Sequence, residues 1–502
     1  VAAALGGCSF GQTGIGPPTN RVFLPAGIAV DPGGRFLYVV NSNSDLRYNA
    51  GTVVAVDLDV ACGIGSDLPG CGMIPASSPQ TAIPVCTKTR FSRTEAVADN
   101  YCCRDLVDSN ILNCHEAQFI RDDATIEIGS FGGTVALQTF VRDGVPVRRL
   151  FMAVRAEPSI TYADVTVSDD GAQVAMRCSG PHGISDAPAA NAFCDDDWKI
   201  RRPGGVTPGA LVLPEEPHVL ALDPVHQALF VGHLTVSANG QVQGGGVSAL
   251  DICNPEHGNP VRFAGLARTT FLPAALSQAV ATLSPPDPSR PATEVYATAR
   301  YTTAISGMVF RDPNGAICDN TAPAPSPEAR DLTLLPSEHF FSSAFLPNGA
   351  DVRGILFLPD VSRAFVLHRN GSDTTANPAA LAVLDRRPLA DGTPANAPVA
   401  LLQVCNGPSS LQMHNAGRGD RIFVTCYDDG QIYVIDPIAV VVTAVIDAGA
   451  APTSLVFSAR DAGIAYVASF FNSHISVIDL RPGSPTENRV LLRIGLPHGY
   501  GE

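Results

Sequence analysis

Thirteen cysteines, and a set of arginine, histidine and asparagine side chains at the ends of apolar runs, are the groups in this 502-residue chain with the means to do chemistry. The densest group is Cys62, Cys71, Cys86, Cys102, Cys103 and Cys114, within residues 59–125. Of these, Cys102, Cys103 and Cys114, with the adjacent His115, carry the thiolate and imidazole donors that a zinc site uses. So heavy a cysteine load suits an oxidising compartment better, where the thiols pair and His115 is a bystander. Neither a metal nor a cofactor is expected. The phosphate-binding P-loop, His-Glu-x-x-His and Cys-x-x-Cys-His do not occur, and no catalytic residue is assigned. Arg418-Gly419-Asp420 spells a cell-adhesion tripeptide but lies where Gly and Asp recur between strands, so it reads as a β-turn.

The remaining candidates are Asn41, Arg155, His233, Arg300, His368, Arg369, Tyr427 and Asn472, at or just beyond the ends of strand-like runs, with Arg353 at the start of one. A repeat positions them. Gly27–Gly34, Phe36–Asn41 and Gly51–Leu58 form a first copy, and Thr453–Ser458, Ala465–Ser469 and His474–Leu480 a last one: apolar strand, Pro/Asp/Gly turn, aromatic-Val strand, polar loop, alternating strand closed by Asp. Further copies run through Val219–Pro224, Gly354–Pro359 and Ile422–Cys426, and weaker ones through 134–178 and 277–310. These are strands a, b and c of antiparallel units, with Val440–Ile446 and Val490–Ile494 as outer strands d. Self-similarity at a spacing of roughly 40 to 50 residues predicts an all-β, seven-bladed propeller, because such a sheet buries both faces only when its neighbours stack on it. Eight blades result if Val165–Cys178 supplies two strands of a further unit.

Tyr38-Val39-Val40-Asn41 and the Ile-Asp or Val-Asp endings at Asp57, Asp436 and Asp479 resemble YVTN-type propellers, a group of bacterial and archaeal surface proteins close to lactonase-like propellers. The resemblance covers most of the chain outside 59–125, 179–213 and 311–345, which read as insertions in one propeller domain spanning 21–502. Leu5-Gly6-Gly7-Cys8, after three alanines, resembles a bacterial lipobox. That resemblance implies a lipid anchor on Cys8, a tether over residues 1–20, and, from Ser9, outer-membrane placement. Removing Cys8 leaves twelve thiols. Their strand positions favour Cys178–Cys194, Cys253–Cys318 and Cys405–Cys426, while pairing among the six in 59–125 stays open. For ring closure, Arg489–Ile494 is expected to be strand d of the last blade, with residues 21–24 as an extra edge strand.

Charged residues make up 16% of the chain against 46 glycines and 41 prolines, a composition of short strands and tight turns. The net charge of -15 disfavours nucleic acid and anionic membranes, and no apolar run is long enough for a spanning helix, so membrane contact is expected only through the lipid. In a propeller the d-to-a and b-to-c loops share one face around the channel, which would gather the nine candidate side chains into a binding face. The leading expectation is a non-enzymatic envelope protein presenting that face to a protein or glycan. The alternatives are a lactonase-like hydrolase or lyase, marked by a pocket holding at least two of His233, Arg300, Arg353 and His368, and a subunit of a surface assembly, marked by apolar patches on blade sides.

Overall fold

In the middle strands of this protein polar alternation is suppressed: Phe36–Asn41, Gly51–Asp57, Ala228–His233, Gly246–Asp251, Ile464–Ser469 and His474–Asp479 are buried at every position. A sheet that is covered on both faces reads as a continuous apolar run. The computed structural model describes residues 14–59, 102–142, 145–180, 193–201, 213–235, 245–252, 292–300, 304–311, 351–369 and 379–495, with further strands at 237–238, 241–242, 262–268, 277–283 and 331–341.

Seven antiparallel sheets are arranged as a closed ring, each running a, b, c, d from the channel outward. Their inner strands are Pro25–Val30, Gly132–Arg142, Pro217–Asp223, Ser277–Leu283, Asp351–Phe357, Pro408–His414 and Pro452–Phe457. Apolar clusters lie between neighbouring blades. Val39, Val54 and Ile28 of blade 1 meet Tyr466, Val477 and Ile494 of blade 7, and Phe423 and Val434 of blade 6 meet Leu455 and Val467 of blade 7. At Gly27 the inner strands approach so closely that a Cβ would stand 2.6 Å from the Gly133 carbonyl oxygen, which explains a residue without one there.

The aspartate closing strand c caps the turn that follows. Asp57, Asp385, Asp436 and Asp479 each accept a backbone N–H two residues on, and most are held by an arginine: Arg35 and Arg121 at Asp57, Arg387 at Asp385, Arg481 at Asp479. Burial alone would raise the carboxyls of Asp57 and Asp479. Donors outweigh it: Arg35 and Arg121 lower Asp57, and Arg481, Ser484 and Thr486 lower Asp479 to about 2.

The insertions begin or end elsewhere than expected because outer strands lie inside them. Ile120–Ile128 is strand d of blade 1 and Asp331–Phe341 strand d of blade 4, so the sequence boundaries at 125 and 345 were too late. Strand d of blade 2 is split: Val174–Arg177 and Lys199–Arg201 pair in line along Ser159–Val167, and Cys178–Cys194 staples the neck of the loop between them. Residues 165–178 therefore complete blade 2, and no eighth blade forms.

Both termini were assigned strands, and one assignment holds. Arg489–Ile494 is strand d of blade 7, antiparallel to His474–Asp479. Residues 21–24 form no strand; Phe23 and Leu24 donate their N–H groups to Asn41 Oδ1 and Ser473 Oγ instead. The outer edge of blade 7 is taken by the insertion of blade 1, from which Leu112–Cys114 pairs in parallel with Arg489–Ile494 and Cys102–Arg104 adds a sixth strand. Asp105 joins this latch by accepting from Asn113 Nδ2 at 2.8 Å and Arg493 Nη1 at 3.0 Å. Cys405–Cys426 forms as expected; Cys114 is disulfide-bonded, and Cys8, Cys62, Cys71, Cys86, Cys253 and Cys318 lie outside the described residues.

Candidate binding face

Every inner strand is irregular at its start. The register with strand b shifts between Pro25 and Gly27, Gly132 and Val135, Pro217 and Val219, Ser277 and Ala279, Val352 and Gly354, Pro408 and Ser410, and Pro452 and Ser454. A bulge re-aims the extra residue away from the ladder. In three blades that residue is a hydroxyl that clips the next blade: Thr134 to the His218 carbonyl (3.2 Å), Ser409 to that of Pro452 (3.0 Å), and Thr453 to that of Pro25 (3.1 Å). In blades 3 and 5 the same position holds His218 and Arg353.

These two meet cations from the b-strand ends. Arg155 and Arg300 follow strand b of blades 2 and 4, and Arg369 ends strand b of blade 5. Burial, then Arg155, Arg300 and Arg353, depress the His218 imidazole to about 3; although partly open to the channel, it lies deep among protein atoms and stays neutral at pH 7. Burial likewise lowers Arg353, with Arg300 and Arg369 adding to the effect and Asp351 opposing it. Arg155 pairs with Glu216 at 3.5 Å, Arg353 with Asp351, and Arg369 with Asp428 at 3.0 Å. The result is an arc that holds four guanidiniums, with Glu216, Asp351 and Asp428 among them, over blades 2 to 6 of a chain of charge -15.

Three of the nine candidates belong to the frame instead. Asn41 is fully buried; its amide donates to the Arg21 carbonyl and Thr52 Oγ1 and its oxygen accepts from Phe23 N–H. His233 is buried between Ser248 Oγ (2.8 Å) and the Glu215 carbonyl (3.2 Å), and His368 is fully buried in blade 5. The Asn of the repeat thus ties strand b to strand c and the incoming chain. Burial keeps His233 at about 3 and His368 at about 4. Asn472 lies in the b-to-c turn of blade 7, and the strand-end position expected for it is held by Ser469. Tyr427 is half-buried beside Arg369, whose guanidinium stands 6.0 Å from the ring centre.

Sequence reasoning missed His218, Glu216 and Asp351. Stacking the inner-strand starts Pro217-His218-Val219, Val352-Arg353-Gly354, Pro408-Ser409-Ser410 and Pro452-Thr453-Ser454 in one column would have exposed His218 as the partner of Arg353. Arg418, by contrast, is engaged in an ion pair with Glu487 at 3.0 Å, beside Gly419 with φ +87°, as befits a turn rather than an adhesive tip.

No family model matches this chain, and no curated protein does. Among solved structures it is similar to the hydrazine synthase of Kuenenia stuttgartiensis, at 11% identity and a TM-score of 0.45 over 93% of this chain and 97% of that one. It is similar also to Sqt1 of Saccharomyces cerevisiae (12%, 0.47, covering 96% and 88%) and to the periplasmic gluconolactonase of Pseudomonas aeruginosa (15%, 0.41, covering 84% of each). The likeness is one of fold.

Proposed function

We propose that this chain is an exported, non-enzymatic binding protein whose mouth face recognises an anionic protein or glycan of the cell envelope, with the propeller held to a membrane through a lipid on Cys8. The observation that carries the reading is the arc of Arg155, Arg300, Arg353 and Arg369, drawn from blades 2, 4 and 5 onto one face of an acidic molecule. Guanidinium groups in a partly dehydrated setting bind carboxylates bidentately and release little ordered water in doing so. Disulfides at Cys178–Cys194 and Cys405–Cys426 support an oxidising location.

Titration with short poly-L-glutamate tests the face. Salt-sensitive binding is expected, weakened about tenfold by Arg353→Gln or Arg300→Gln, the worth of one charge-assisted contact. No binding, or equal binding by both variants, overturns the reading. Mass spectrometry of protein from its native membrane tests the anchor; an unmodified Cys8 thiol removes it.

A hydrolase or lyase at the mouth keeps one observation in its favour, since Arg300 and Arg353 do stand together beside His218. It ranks second because His233 and His368 are locked in the frame and an imidazole that protonates near 3 is a weak base at neutral pH. The outer strands of blades 5 and 6 expose Val399, Leu401, Val441 and Val445, which give the surface-assembly reading its foothold among the described residues.

A further inference from the structure

Beside the arginines the same face carries aromatic rings. The b-to-c turns of blades 6 and 7 bring Tyr427 to 5.5 Å from Phe471 and 6.5 Å from Phe470, with the two phenylalanines 5.6 Å apart. Phe471 is 53% exposed. The turn itself is held by backbone bonds, Phe470 N–H to the Ala451 carbonyl and Ser473 N–H to that of Phe470, so its form does not depend on the ring at 471. Shelf and arc are continuous: Arg369 lies over Tyr427 on one side and acts on Arg353 on the other.

A ligand that uses both needs a flat C–H face to lie on a ring and an acid group to reach the guanidiniums. An acidic peptide supplies charge without the face, and a neutral sugar the face without charge. A nucleic acid stacks through the π-face of its bases and carries its charge on phosphates along the strand, so no one unit of it offers a flat C–H face with an acid group. We infer that the mouth face binds an acidic saccharide, a sugar ring resting on Phe471 and Tyr427 and its carboxylate directed to Arg369 and Arg353. This rests on the anionic-ligand reading given above and names its ligand class.

Isothermal titration of the full chain with trigalacturonate, maltotriose, short poly-L-glutamate and oligothymidylate separates the two. Trigalacturonate is expected to bind and maltotriose not to. Phe471→Ala should weaken trigalacturonate about fivefold and leave poly-L-glutamate unchanged, while Arg353→Gln weakens both. Since Phe471 is exposed, its replacement leaves the fold in place; Tyr427→Phe, which keeps the ring, should bind like the parent. Poly-L-glutamate binding without trigalacturonate, an equal effect of Phe471→Ala on the two, or preference for oligothymidylate overturns the saccharide inference and leaves the anionic face standing. Silence of every anion overturns both.

Discussion

A buried polar side chain in a blade has one task, to satisfy its neighbours, and Asn41 shows what that is worth. It serves the backbone of Arg21 and Phe23 and the hydroxyl of Thr52 with no exposure to water. Asn41→Ala would leave those groups unsatisfied, and we expect a loss of about 2 to 3 kcal/mol in chemical denaturation. The buried imidazoles set the acid limit. His233 and His474 titrate at about 3 and His368 at about 4, all lowered first by burial, with Arg493 contributing at His474. An unfolded imidazole takes its proton near ~6.5, so the unfolded chain gains protons that the folded one refuses, and stability is full above ~6.5 and falls as the pH drops toward ~4. Asp479, held at about 2, adds a second loss in the same direction below the ordinary carboxylate range. Melting temperature should therefore decline steadily from pH 7 to 4, and a flat profile would contradict the burial of these rings. At this scale the sequence was misleading for a physical reason: a polar residue at a strand end points either into the channel or between strands b and c, and alternation there is masked because both faces are covered. Arg155, Arg300, Arg353 and Arg369 stand at the strand ends, as long cations seldom pack inside, whereas Asn41, His233 and His368 are small enough to be enclosed.

Strands were the most legible elements. The Asp-closed strand c and the aromatic-Val strand b lie where their patterns put them, because the aspartate at Asp57 or Asp479 makes a cap visible in sequence as well as in space. Outer strands were harder. Ile120–Ile128 and Asp331–Phe341 follow long insertions, so their periodicity was absorbed into the loops. The split outer strand of blade 2 leaves no continuous signal at all; what marks it is a cysteine on each side of the gap. Cα atoms of Cys178 and Cys194 are 4.8 Å apart, and closing a loop of this length is worth about 3 kcal/mol in the chain-entropy account. The double variant Cys178→Ala/Cys194→Ala should lose up to that amount in denaturant titration while keeping its far-ultraviolet spectrum, because Lys199–Arg201 remains paired with strand c. A collapse of the whole ring would show that the staple holds more than its own loop.

For the molecule as a whole, closure is the decisive contact. Blades 7 and 1 meet through Thr453 and Pro25 at the mouth, through Arg460 with the Gly33 carbonyl (2.7 Å) and Asp59 on the opposite face, and through the latch at the rim. Deleting residues 488–502 removes a strand that is paired on both sides, whereas deleting 1–24 removes a segment whose described part, 14–24, contributes bonds to Asn41 and Ser473 but no sheet. Thermal unfolding should rank the first deletion as the more damaging, and the reverse order would assign closure to the N-terminal segment. The latch has a further consequence, for a chain under tension. A tug on the C-terminus cannot peel Arg489–Ile494 from blade 7 alone, since Leu112–Cys114 flanks it in parallel and Arg493 is tied to Asp105. The load passes into blade 1 and must shear both ladders at once.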